Sequence, residues 1–288
     1  MPAEVPNNGP MLQVDNLSVT FGHGRYEVRA VRDVSFALGR ERLGIVGESG
    51  SGKSTAGRAI MRLQPKGAQV RADALRFAGR DLLALPEREL TRIRGRDMAL
   101  ILQDPRYSLN PVKPIGAQIA ESARVHLKLG SRAARKAALE MLGHVRIRDP
   151  ERTMGLYPHE ISGGMGQRAM IAMMLLNKPK LVIADEPTSA LDVSVRQDVL
   201  TLLDGLVREN GSGLILISHD IRMVARFCDR ILVMYAGRVV EELRSLDDAA
   251  HPYTRGLIAS MPGFDGPRPH RLPVIDRAGL AAFEEAAR

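Results

Sequence analysis

A chain of 288 residues, 44% of them hydrophobic, can bury a sizeable core as one large α/β domain or as one domain with a subdomain, which excludes a disordered polymer. Its single cysteine, Cys228, excludes an intrachain disulfide and any cluster of cysteine metal ligands; no apolar run approaches the roughly 18 to 20 residues that span a bilayer, so a membrane role requires a partner. The formal charge of +8 suits nucleic acid, an anionic membrane surface, a polyanionic small molecule or a plain solvated basic face, and composition does not choose among them.

Residues 1–10 hold three prolines, two asparagines and one acid, with neither the basic start nor the apolar core of a secretory signal. The expectation is a chain that stays in the cytoplasm. Short apolar runs at 43–46, 98–102, 181–184, 214–217 and 231–234 are too continuous for half-exposed strands. They predict buried strands, and the helical patterning between several of them predicts a largely parallel sheet covered on both faces, an α/β core. Between Gln103 and Ser162 the pattern turns helical, as at 131–146, where Ala, Leu and Met alternate with basic residues; this predicts an inserted helical subdomain. After about Leu246 the strands stop, and 251–288 carries five prolines and a final helix candidate rich in Ala and Glu.

The run at 43–46 leads into Gly47-Glu48-Ser49-Gly50-Ser51-Gly52-Lys53-Ser54, which fits G-x-x-x-x-G-K-[ST] between a strand and a helix that begins at Lys53. Glycines let the backbone curl so that successive N–H groups point at phosphates, and the helix N-terminus adds a partial positive charge. Lys53 is expected to reach the β- and γ-phosphates and the Ser54 hydroxyl to ligate Mg²⁺. The run at 181–184 ends in Asp185-Glu186, an expensive place for charge unless a cation or a proton transfer uses it. Asp185 is expected to hold Mg²⁺, directly or through water. Glu186, pointing the other way along the strand, is expected to orient or deprotonate the attacking water as general base.

Ser162-Gly163-Gly164-Met165-Gly166-Gln167-Arg168, ahead of an apolar helical run, resembles the signature motif of ATP-binding cassette (ABC) proteins. A Ser-Gly-Gly turn at a helix start offers N–H groups and a hydroxyl to an anion, yet the phosphate loop of the same chain already holds one nucleotide. The resemblance implies that two subunits pair, with Ser162, Gly163, Gly164 and Gln167 of one gripping the γ-phosphate of ATP bound to the other through Gly47 to Ser54 and Thr55. Gln103, before Asp104-Pro105, resembles the Q-loop glutamine that contacts Mg²⁺ and relays the nucleotide state to a transmembrane partner. Ser189-Ala190-Leu191-Asp192 resembles the D-loop, which crosses the dimer interface, and His219 resembles the catalytic switch histidine. Phe21 stands where the family stacks an aromatic residue on adenine, with Tyr26 as a rival.

The resemblance covers about residues 11–240. It implies a phosphate-loop, RecA-like ATPase core with an antiparallel N-terminal β part, a nucleotide-binding domain over 11–245 with a helical subdomain at about 104–165, and a C-terminal extension over 246–288. It narrows to the ATPases of oligopeptide, dipeptide and nickel importers through Gln103-Asp104-Pro105, Ser108-Leu109-Asn110-Pro111, Tyr157-Pro158-His159 and His251-Pro252-Tyr253-Thr254-Arg255. By overall wording the chain is similar to the first of the two ATPases. The partners implied are a second ATP-binding subunit (a paralogue or a second copy), two transmembrane permease subunits and an extracytoplasmic solute-binding protein, at the cytoplasmic face of the cell membrane, with ATP and Mg²⁺ as ligands and no nucleic acid.

The chain departs from the pattern at Gly166, where the family commonly carries arginine. A glycine just inside a helix costs about 0.5 to 1 kcal/mol relative to alanine, and a long cation near the nucleotide interface is lost. Ser189 and Ser218 replace the more usual threonine and keep the hydroxyl. No cysteine follows the His-Pro-Tyr segment, so the iron–sulfur cluster of many relatives is not expected. The main alternative from another class is a nucleic-acid-associated ABC-type ATPase, which suits the charge; its long coiled coils, zinc insertions or tandem cassettes have no counterpart in this sequence.

Overall fold

The structure, a computed structural model, describes residues 9–189 and 191–261, apart from the side chains of Arg25, Val193 and Ser194. The Ala- and Glu-rich helix candidate near the C-terminus lies outside the described residues. In chain order the elements are β1 (Leu12–Phe21), β2 (Val28–Leu38), β3 (Arg42–Val46), α1 (Lys53–Ile60), β4 (Gln69–Arg71), β5 (Ala74–Phe77) and β6 (Arg80–Asp81). There follow α2 (Glu87–Ile93), β7 (Met98–Ile101), α3 (Ile115–His126), α4 (Ser131–His144), α5 (Pro150–Thr153), α6 (Gly163–Leu175), β8 (Leu181–Asp185), α7 (Val193–Glu209) and β9 (Gly213–Ser218). The last are α8 (Ile221–Phe227), β10 (Arg230–Tyr235), β11 (Arg238–Leu243) and α9 (Pro252–Ala259). The chain forms two compact units, one of residues 1–81 with 216–288 and one of residues 82–215.

In the first unit β1 pairs antiparallel with β2, β4 and β5, and β5 with β6. Leu12 and Val14 are fully buried, and so are Leu17 and Val19, which puts the inward residues out of phase by one. The register shifts between Val14 and Leu17, and Asn16 takes a φ of +52°: a bulge inserts one residue, so the strand keeps its apolar face on the core across the shift. The same unit holds β3 beside β10 in parallel, and β10 turns into antiparallel β11. That turn is Ala236-Gly237 with φ of +47° and +86°, the two left-handed residues that a tight hairpin between right-twisted strands requires.

In the second unit β7 and β8 run parallel, Met98 opposite Leu181 and Ile101 opposite Ala184. Their residues are nearly all buried, as the continuous apolar runs predict. Helix α3 buries Ile115, Ile119 and Ala123 at a spacing of four, and α4 buries Ala134, Ala138, Met141 and Leu142, so each turns one stripe inward. The helical pattern expected to Arg146 ends earlier. Arg146 takes a φ of +58°, with Ile147 N–H on the Leu142 carbonyl and Arg146 N–H on the Gly143 carbonyl, which closes α4 in a left-handed cap.

Candidate nucleotide site

In the first unit, buried β3 delivers the chain into the loop 47–54, and the walls of that loop explain Gly47 and Gly52, while Gly50, with open space around it, is set by its φ of +83°. Gly47 has a φ of +154°, and a Cβ there would sit 2.1 Å from the Met234 carbonyl oxygen. Gly52 has a φ of +100°, and its Cβ would sit 2.3 Å from the Ala30 carbonyl oxygen. Neither position accepts a side chain, because the loop is pressed between β2 and β10. Gly237 N–H donates to the Ser51 carbonyl at 3.1 Å, and Ser51 N–H to the Glu48 carbonyl at 3.2 Å. Helix α1 then starts at Lys53 with Gly52 as its N-cap. A glycine has no side chain to occupy the first turn, where orphan amide donors and the helix dipole favour an anion.

Lys53 is buried, 4% exposed. Its Nζ donates to the carbonyls of Gly47 (2.8 Å) and Glu48 (2.7 Å) and lies 3.4 Å from Ser51 Oγ. A buried ammonium must keep such partners, and these hold it over the loop. His219 is exposed directly after β9; Ser218 Oγ accepts from Asp220 N–H and the Asp220 carboxylate caps α8 through Met223 N–H at 2.9 Å, so the backbone around the histidine is fixed from both sides. Phe21 is half-buried at the end of β1, and Tyr26, in the following turn, is 86% exposed.

In the second unit the register of β7 and β8 sets Gln103 and the acidic pair at the same carboxyl edge. Gln103 is exposed. After it, Asp104 caps the turn Pro105–Tyr107 by accepting from Arg106 N–H. The Arg106 guanidinium hydrogen-bonded to the Asp104 carboxylate holds that acid below its ordinary range. Asp185 is buried, 4% exposed, at the end of β8. Glu186 corrects one expectation. It does not continue the strand: its φ is +48°, left-handed, at a cost of about 1–2 kcal/mol for a residue with a Cβ. Its direction is therefore set by a turn in which its carbonyl accepts from Ser189 N–H (3.2 Å) and Ser189 Oγ (3.1 Å), and strand alternation plays no part.

The segment 162–168 opens α6. Ser162 is the N-cap and its Oγ accepts from Met165 N–H at 3.3 Å; Ser162 and Gly163 are exposed and Gly164 is half-buried. Gln167, expected to act with them, is instead fully buried, and neither polar atom of its amide has a hydrogen-bond partner. Burial at this position leaves the amide no exposed face on the surface of the single chain. Asp192 is exposed at the N-cap of α7, and Leu191 beside it is buried. Gly166 is buried with room for a methyl: a Cβ would lie 3.5 Å from Pro105 Cγ and 3.9 Å from Ile161 Cδ1, ordinary contact distances. Gly166→Ala is expected to raise stability by about 0.5–1 kcal/mol through helix propensity; thermal melting checks this, and a lowered midpoint would show that the segment needs the bare backbone.

Motif reading missed one participant at the phosphate loop. Tyr253 in α9 is fully buried, and its hydroxyl accepts from Glu48 N–H at 2.8 Å. The signal available in the sequence was the His-Pro-Tyr wording, which carries no geometry.

Residues 31–189 match the family model described as ABC transporter. A putative peptide import ATP-binding protein of Brucella abortus is 46% identical over 270 residues, 92% of this chain and 81% of the relative. The oligopeptide transport ATP-binding protein OppD of Salmonella typhimurium is 45% identical over 259 residues, 88% of this chain and 77% of the relative. Among solved structures, the post-hydrolysis dimer of the ATP-binding cassette MJ0796 bound to ADP and Pi superposes with a TM-score of 0.70 at 31% identity, over 81% of this chain and 98% of that one. The chain belongs to the ABC transporter family, as an ATP-binding cassette whose ATPase is coupled to transport.

Proposed function

We propose that this chain hydrolyses MgATP to power the import of peptides or related small solutes, in a complex with two transmembrane permease subunits, a second ATP-binding subunit and an extracytoplasmic solute-binding protein. The observation that carries the ATPase half is the loop 47–54, wound around the buried Lys53 ammonium with Gly52 opening α1. The import half is supported by relatives at 45–46% identity, one named for peptide import and one for oligopeptide transport, which favours transport over a nucleic-acid role.

In this reading the amides of residues 47–55 and Lys53 bind the phosphates, Phe21 stacks on adenine, and Glu186 accepts the proton of the attacking water while His219 contacts the γ-phosphate. Ser54, Gln103 and Asp185 are the residues that would hold Mg²⁺, each through a side-chain oxygen of the kind a hard cation prefers. Bound Mg²⁺ supplies neutralisation of charge on the phosphate oxygens. Exposed Ser162 and Gly163, with Gly164, contact the nucleotide of the second subunit; Asp192 meets that subunit. No helix among the described residues is long and apolar enough to cross a membrane; in this reading the permeases hold the chain at the cytoplasmic face.

Copurification from native membranes, followed by reconstitution into vesicles with the solute-binding protein, tests the whole reading. The expected result is ATP-dependent accumulation of a short peptide with two permease subunits present. A complex that accumulates another solute class and no peptide overturns the substrate, and a chain that copurifies with no permease overturns the import role.

A further inference from the structure

Resting on the ATP-binding reading above, we propose that Tyr253 is a positioning residue for the phosphate loop, and that α9 is a strap that sets nucleotide affinity from outside the cassette's strands. The peptide unit between Gly47 and Glu48 is planar and trans, so its carbonyl and its N–H point to opposite sides. The carbonyl accepts from Lys53 Nζ at 2.8 Å, and the N–H donates to Tyr253 Oη at 2.8 Å. One peptide plane is thus held by both edges, with the phosphate-binding ammonium on one and the tyrosine hydroxyl on the other. Gly47 is the residue about which such a plane turns most easily, since it lacks a Cβ. A half-turn of that plane would remove the carbonyl from Lys53. The Tyr253 hydroxyl opposes it.

The tyrosine is itself fixed. Its ring, fully buried, packs on Tyr235 at the end of β10 with centroids 4.5 Å apart. Its N–H donates to His251 Nδ1 at 3.1 Å, which caps α9. The start of the strap is tied to β11, where Glu241 Oε1 accepts from the N–H groups of Ala250 (2.6 Å) and His251 (3.0 Å). Arg255 Nε donates to the Ala249 carbonyl at 2.8 Å, which closes the turn that aims Tyr253 inward. No step of nucleotide chemistry needs this hydroxyl, so its effect belongs to binding: a loop that spends part of its time with the plane turned away binds more weakly by the fraction lost.

Tyr253→Phe keeps the ring on Tyr235 and removes the hydroxyl, and with it the acceptor of the Glu48 N–H. Calorimetric titration of the full chain with MgATP should show the dissociation constant raised about 3- to 10-fold. In the assembled complex KM for ATP should rise by a similar factor with kcat within about twofold, a split that a general loss of folded protein would not produce. Glu241→Ala, which loosens the strap without touching the loop, should weaken binding in the same direction. Parental affinity in a folded Tyr253→Phe chain overturns the inference, as does a loss confined to kcat. Should the Tyr253 variant not fold, the Glu241 variant decides: weakened binding upholds the strap and parental binding removes it. A parental chain that binds no MgATP takes down the functional reading as well, whereas parental binding with an unaltered Tyr253→Phe affinity removes this inference alone.

Discussion

Lys53→Ala is expected to weaken MgATP binding by about 100-fold and to abolish measurable turnover. The ammonium is buried against the carbonyls of Gly47 and Glu48, so the loop is built around a positive charge at its centre. Hydrogen bonds to a charged partner contribute about 1.5–3 kcal/mol each, and losing two of them at the lower end, about 3 kcal/mol together, is a factor of roughly 100. Alanine also takes the ammonium from the Gly47 and Glu48 carbonyls, the second of which keeps the Ser51 N–H, so the loop itself should loosen. Melting of the nucleotide-free variant separates the two effects, because the loop is a small part of the first unit's core and the midpoint should fall only modestly. Calorimetry on the folded variant then reads affinity. Hydrolysis at the parental rate by purified Lys53→Ala protein would remove the phosphate-loop assignment altogether.

The elements legible in the sequence are those whose chemistry or burial admits few residue types. Runs such as 181–184 are continuous because both faces of the strand are buried, and the loop 47–54 shows Gly47 and Gly52 because carbonyls of Met234 and Ala30 occupy the places of their Cβ atoms. Phase, in contrast, was hidden where one residue is inserted. The bulge at Asn16 switches β1 from even to odd inward positions, and a period-2 pattern broken in the middle does not read as one strand.

Direction was hidden for a related reason. Glu186 follows a strand of five buried residues, and nothing in Asp-Glu-Pro announces that the backbone turns left-handed after Asp185. Gln167 sits in a motif whose first residues are exposed, yet one and a half turns along α6 the helix faces inward and the side chain is buried; a linear motif does not state which of its members share a face. The Tyr253 contact joins residues 205 positions apart, a distance at which residue spacing carries no information. Motifs therefore mark the residues proposed to carry the chemistry, while the groups that position them come from tertiary packing.

Glu186→Gln is expected to bind MgATP within a few-fold of the parent and to hydrolyse it about 10²- to 10⁴-fold more slowly, the range general-base catalysis supplies. An amide has the size and planarity of the carboxylate and keeps an oxygen that orients water, but it does not accept the proton. The substitution leaves the local backbone alone. The contacts that hold the turn, from Ser189 N–H and Oγ, go to the Glu186 main-chain carbonyl, and glutamine pays no more than glutamate for the φ of +48°. Asp185 and Lys53, on separate elements, keep their own positions, so nucleotide affinity should survive. In the assembled complex slow hydrolysis with intact binding should accumulate paired, ATP-bound cassettes. Single-turnover assays give the chemical rate, and crosslinking between the Ser162 segment of one subunit and the phosphate loop of the other reports pairing. Hydrolysis as fast as the parent's would remove the general-base role. Failure to bind ATP would place Glu186 instead among the groups that hold the metal or the turn.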